Sequence, residues 1–237
     1  MAPSKQLADS LLNSEGLYTL ADAAYFARIP ISTLSSWFFG RGDHVYRHAR
    51  LAALPEKLLT FEEFIEAIAI RSLREQGFSL KTILAALTQA ELLFDAKRVF
   101  TNPNFDFLAE KKGKRLFVSP HASSPVGLEG KKDIGQLSFE PVIKDYLDLI
   151  EFDADHNALA YRPLKSDEFN IALNPSRSFG EPIVEQVGYP ARTLIRALKE
   201  EGSVERAAWM YGVPEGAIKL AEKYEKYLRE IPKNIAA

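Results

Sequence analysis

Two stretches of this chain, one near each end, obey the same steric template. A small residue is followed at fixed intervals by three apolar ones, as Ala24, Ile29, Leu34 and Trp37 and again, at constant offset, as Ala208, Val213, Ile218 and Ala221. That spacing is required where two short helices cross closely about a tight turn. The first helix needs a small side chain at the crossing, the turn needs an apolar plug, and the second helix needs two apolar residues on its inner face. The template predicts a helix-turn-helix near each terminus, so the fold class is mainly α with a smaller β part.

Around the first copy, Leu20, Ala23, Ala24 and Ala27 line one helix face from about Thr19 onward. Arg28-Ile29-Pro30 is the turn, because proline ends one helix and suits the start of the next. Arg28 stands where such turns commonly carry glycine. A second helix runs through Trp37. Gly40 and Gly42, among aromatic and β-branched residues, then fit a short wing hairpin that gathers Arg41, Arg47 and Arg50. Further on, Thr60 and Glu63 form a capping box, Gly77 closes that helix and Ser79 caps the one after it.

From residue 95 to 168 the helical period fades, and short β-prone runs such as RLFVS and LIEFDADHNALAYRPL appear, the second a hairpin turning at Asp155-His156-Asn157. Lysines at 111–115 and 131–132 read as solvated loop charge. Asp145, Asp148, Glu151, Asp153, Asp155 and His156 are the one group from which an enzyme could be argued. They lack calcium-loop spacing, and no nucleophile or orienting partner stands beside them, so no catalytic residue, metal or cofactor is expected. His44 and His48 could share a helix face, but no third zinc ligand is evident, which favours a surface or DNA-facing role, and His44 is counted among the candidate DNA contacts.

The second copy lies in three helices separated by Gly202 and Gly212, with Pro190 and Pro214 suited to first turns. The last helix offers Glu215, Gly216, Lys219 and Lys223 beside Glu222 and Glu225. An acidic leading edge repels phosphate, so this half reads as a dimerisation or partner surface. Composition narrows the rest. The chain has no cysteine, which excludes disulfides and thiolate chemistry, and 30 Lys+Arg balance 32 Asp+Glu, so contact with nucleic acid must come from local patches. No apolar run suits a signal peptide or a membrane span, so the expectation is a cytoplasmic protein with no membrane partner.

The phrase YTLADAAYFARIPISTLSSWF, the basic wing after it and LREQGFSLKTILAAL together resemble the DNA-binding head of MerR-type regulators over residues 17–94. The resemblance implies that the second helix enters the major groove. Ser32, Thr33, Ser35 and Ser36 would then face DNA, with Arg41 and Arg47 on phosphate. Such hydroxyls read bases weakly, so affinity would rest on arginine.

FEPVIKDYLDLIEF, ALAYRPL, NPSRSFGEPIV and GYPARTLIRALKEEGSVERAAWMYGVPEGAIKLAEKYE are similar to the small three-helix domain of VapB-class antitoxins. Residues 189–193, Tyr-Pro-Ala-Arg-Thr, depart slightly from that pattern. The combined resemblance implies three parts: a MerR-like winged helix-turn-helix at 1–94, a β-rich middle at 95–168 and a three-helix antitoxin domain at 169–237. It also implies a non-enzymatic antitoxin, acting as a homodimer, that binds operator DNA and neutralises a PIN-like ribonuclease toxin. Such a nuclease keeps its acidic metal ligands in an open cleft, and Arg192, Arg196 and Arg206 are the candidate cations to fill it. The alternative is a stand-alone MerR-like transcriptional regulator.

Overall fold

The computed structural model describes residues 17–41, 45–46, 49, 54–94, 99–101, 104–110, 116–120, 139–141, 144–154, 157–232 and 235. Strands β1 (Leu17–Thr19) and β2 (Leu58–Thr60) pair antiparallel, with Leu17 opposite Thr60, and bracket the first helical hairpin, α1 (Leu20–Ala27) and α2 (Ile31–Phe39). Helix α1 begins where the Thr19 hydroxyl accepts the Asp22 N–H at 3.1 Å. Ala24, Ile29, Leu34 and Trp37 are all buried, as the template requires.

Arg28 ends α1 in the left-handed conformation, φ 56°, that a glycine would adopt freely. Its side chain supplies an anchor that glycine could not. The guanidinium donates through Nε to the Glu230 carbonyl at 2.7 Å and through Nη2 to the same oxygen, and it lies 3.9 Å from the centroid of the Tyr227 ring. The turn of the first hairpin is thereby tied to the end of the chain's last helix.

Helix α3 (Phe61–Glu75) starts in the expected capping box, Thr60 and Glu63 bonding each other's backbone N–H. Gly77 follows its end at φ 92°. Helix α4 (Leu80–Phe94) starts behind Ser79, whose hydroxyl accepts the Thr82 N–H at 3.0 Å. Helix α3 is buried on nearly every side, carrying Glu63, Glu66 and Arg71 inward with its apolar residues. Arg71 Nη1 donates to the Ala27 carbonyl at 2.7 Å, satisfying an acceptor that the end of α1 leaves open.

Beyond a 3₁₀ turn (Val99–Thr101) lie two sheets. Strands β3 (Phe105–Glu110), β4 (Leu116–Pro120) and β5 (Phe139–Pro141) form the first, with β3 central. After the short helix α5 (Lys144–Leu147), strands β6 (Ile150–Phe152), β7 (Ala158–Lys165), β8 (Asn170–Leu173), β9 (Ile183–Val184) and β10 (Tyr189–Pro190) form an antiparallel meander. The boundary expected at 168/169 falls between the paired strands β7 and β8. Three helices close the chain, α6 (Ala191–Glu201), α7 (Val204–Tyr211) and α8 (Glu215–Arg229), turned by Gly202 and Gly212 at φ 74° and 62°. Pro190 and Pro214 take the cap positions just before α6 and α8, one residue earlier than the first turn.

The helices and sheets share one contiguous apolar core. Tyr18 stacks on Phe64 at 4.9 Å between ring centroids, and Phe64 meets Tyr161 edge-on at 6.0 Å. Tyr18 Oη donates to the Gly180 carbonyl at 2.8 Å, and Tyr146 Oη donates to that of Ile65 at 2.7 Å. Burial pushes both phenols far up, which keeps them neutral donors. Among the described residues no helix is long and apolar enough to cross a membrane.

Candidate nucleic-acid and partner interface

Leu34, Trp37 and Phe38 bury one side of α2, leaving the serine-rich side outward. Ser32 is exposed; Thr33, Ser35 and Ser36 are half-buried. Ser36 Oγ donates to the Thr33 carbonyl at 2.8 Å, so its proton is engaged within the helix. Ser35 Oγ instead accepts from Lys57 Nζ at 2.9 Å. Sequence reasoning missed Lys57, because it reaches α2 only through the β1–β2 pairing that folds residues 57–60 back against the hairpin. The signal available was its place just before a capped helix. Arg41 is exposed immediately beyond α2, and the first turn of α2 carries no acid to repel phosphate. The structure thus brings Ser32, Ser35, Arg41 and Lys57 to the α2 side of the head. His44 and Arg47 lie outside the described residues, as do Gly42, His48, Arg50 and with them the expected wing hairpin.

The second hairpin satisfies the same template, with Ala208, Val213, Ile218 and Ala221 buried. Its outward face differs in charge. Glu215 opens α8 and bonds Lys219 at 2.9 Å, raising the lysine's pKa by hydrogen bond and charge. An acid at that position neutralises the helix end where phosphate would dock.

Two carboxylates of the middle segment, Glu151 and Asp153, make structural contacts. Arg162 forks onto Glu185 with two 2.8 Å hydrogen bonds and reaches Glu151 at 2.7 Å, linking β6, β7 and the end of β9. The bonds from Arg162 hold the Glu185 carboxyl below its ordinary range. Asp153 accepts the Asn157 N–H at 2.8 Å and closes the β6–β7 hairpin. Asp145 sits on α5 and Asp148 in the turn after it, while Asp155 and His156 fall outside the described residues, as do the lysines at 111–115 and 131–132. Among the described residues no group of three or more His, Asp or Glu could hold a metal ion.

Arg192 and Arg196 come together on α6 at the edge of a cleft of about 470 Å³ between α1, α6 and α8. Arg206, on α7, is exposed but does not line that cleft.

No family model matches the chain. The Mycobacterium tuberculosis (strain ATCC 25618 / H37Rv) protein provisionally named antitoxin VapB45 is 26% identical over 220 residues, 83% of this chain and 88% of that protein. The match spans most of both chains. The fold is similar to the X-ray crystal structure of Rv2018 from Mycobacterium tuberculosis, with a TM-score of 0.56 at 20% identity, over 86% of this chain and 96% of that one.

Proposed function

We propose that this chain is a non-enzymatic antitoxin of a toxin–antitoxin pair, whose MerR-like head binds operator DNA through α2 and whose C-terminal half helps to neutralise a PIN-like ribonuclease toxin. The observation that carries the reading is the similarity to antitoxin VapB45 along most of both chains. The contrast between the two hairpins supports the division of labour. The α2 side has hydroxyls, Arg41 and Lys57 with no acid in its first turn, whereas α8 opens on Glu215. DNA therefore goes to the head.

Backbone contacts contribute a salt-dependent share of affinity, each worth about one unit of the slope of log K against log salt. Arg41→Ala with Arg47→Ala is expected to weaken all DNA sequences alike and lower the slope by about two; adding Lys57→Ala removes about one more. Filter binding on the chain's own promoter at several salt concentrations measures this. Unchanged affinity and slope would remove the wing and Lys57 from the interface.

A single helix-turn-helix reads few base pairs, and paired half-sites about one helical turn apart supply the missing specificity. The chain accordingly acts as a homodimer. Leu92 and Leu93 at the end of α4, and Trp209 and Met210 on α7, are exposed apolar side chains suited to such a contact. Sedimentation is expected to give a dimer at micromolar concentration, with two protected half-sites in a footprint. A monomer protecting one half-site is the contrary result.

A further inference from the structure

The cleft at the edge of α6 is built from both ends of the sequence. Tyr25 on α1 forms one wall, Ile195 on α6 another, and Tyr224 and Leu228 on α8 the floor, with Phe179 at the lip. Its lining is predominantly apolar, and its volume falls within the range of sites that hold a few side chains or a small ligand.

Phe179 is 84% exposed, in a turn where Ser178, Phe179 and Gly180 all have positive φ, at 48°, 54° and 79°. A bulky residue in that conformation is strained, and an exposed ring gains little packing in return. The turn is locked nonetheless. Tyr18 Oη donates to the Gly180 carbonyl, and a Cβ on Gly180 would lie 2.4 Å from the Tyr18 hydroxyl oxygen. The fold thus spends strain to hold an aromatic ring in solvent beside an apolar cleft that Tyr25, itself half in solvent, also borders.

The charges around the cleft are sorted by depth. Arg192 bonds Glu181 at 2.6 Å, but the arginine side chain is 79% exposed and the glutamate 26%. Lys199 bonds Glu225 at 2.9 Å with the same sorting, 60% against 20%. Arg196 adds a third outward cation, 3.6 Å from Glu200. Cations therefore face the solvent while the carboxylates of two pairs are tucked beneath them. Beneath the floor, the Tyr224 hydroxyl is buried with no hydrogen-bond partner among the described residues.

We propose that this cleft is the docking site for a segment of the nuclease partner that inserts an apolar side chain between Tyr25, Phe179 and Ile195 and sets flanking carboxylates on Arg192 and Arg196. Apolar lining selects the inserted side chain, and outward cations select acidic neighbours. Exposed aromatic and arginine side chains around one apolar pocket are the usual makeup of a protein–protein hot spot. This assignment rests on the antitoxin reading and adds a wall to the toxin site that belongs to the DNA-binding head.

The test uses the full chain and the purified nuclease encoded beside it, measured by calorimetry, with operator binding and thermal midpoint as controls. Phe179 and Arg196 are exposed, so their replacement leaves the core intact. Phe179→Ala is expected to weaken binding of the nuclease about 30-fold, the size of a typical hot-spot loss. Phe179→Ala with Arg196→Glu is expected to weaken it at least 100-fold, with operator affinity unchanged. Wild-type binding that both variants retain overturns the cleft and leaves the antitoxin reading standing. Loss on Arg206→Glu with the cleft variants intact places the contact on α7 and also overturns it. Dissociation of a homodimer by the cleft variants without loss of nuclease binding would make a second copy of this chain the occupant. A folded wild-type chain that does not bind the nuclease overturns both readings together.

Discussion

Trp37→Ala is expected to cost about 3–5 kcal/mol, the range for truncating a fully packed tryptophan. Trp37 is 3% exposed on the inner face of α2, where the template places its last apolar residue. The core beneath it runs on through Phe64 and Tyr161 into the meander and the last helix. The loss is therefore expected as a shift of one cooperative transition for the whole protein, with no separate melting of the head. Urea unfolding followed by far-ultraviolet and by near-ultraviolet circular dichroism checks both parts, because the buried tyrosines Tyr18, Tyr146, Tyr161 and Tyr224 report tertiary packing away from α2. A midpoint equal to wild type would mean that α2 is turned the other way and that its serines are inside.

Arg71→Met is expected to be the second most damaging of these changes, at about 3 kcal/mol. Removing one member of a buried charge contact is costly because its partners stay behind without compensation. Here the carbonyl of Ala27 loses a 2.7 Å hydrogen bond from a guanidinium that is 7% exposed. Glu75, 3.1 Å from Arg71 Nε, has a side chain 36% exposed and can be rehydrated, which keeps the loss at the low end of the range. Glu75→Gln, for the same reason, is expected to cost under about 1 kcal/mol. Thermal denaturation of the two variants in parallel decides the matter. Equal losses would mean that the ion pair, rather than the backbone bond at the end of α1, is what Arg71 supplies.

Local signals in the sequence were sufficient wherever the determinants lie within one turn of each other. Thr19, Thr60 and Ser79 sit at helix starts, Gly77, Gly202 and Gly212 at helix ends, and the eight template positions are buried, because capping, left-handed turns and helix crossing are short-range demands. Arg28 was visible only as a misfit, since its partners, Glu230 and Tyr227, are about two hundred residues away and bring the last helix onto the first hairpin. Strand β3 was missed, although Phe105 and Phe107 alternate, because its pairing partners lie at 116–120 and 139–141 and the run by itself is short. The same holds for Lys57, whose nearness to Ser35 depends on strand pairing, and for the cleft, whose walls come from residues 18–26, 179–199 and 224–228. Of the proposed toxin contacts, Arg192 and Arg196 share a helix edge by their i, i+4 spacing, which the sequence displays. The depth of Arg192 relative to Glu181, and of Lys199 relative to Glu225, needed the fold.

An antitoxin must silence its nuclease inside a living cell. The test is growth of a host that expresses the proposed nuclease partner, with and without the intact chain. Arrest is expected with the nuclease alone, and restored growth when the chain is co-expressed. Continued arrest in the presence of soluble, folded chain that still binds its promoter would contradict it, and would describe a transcriptional regulator standing alone.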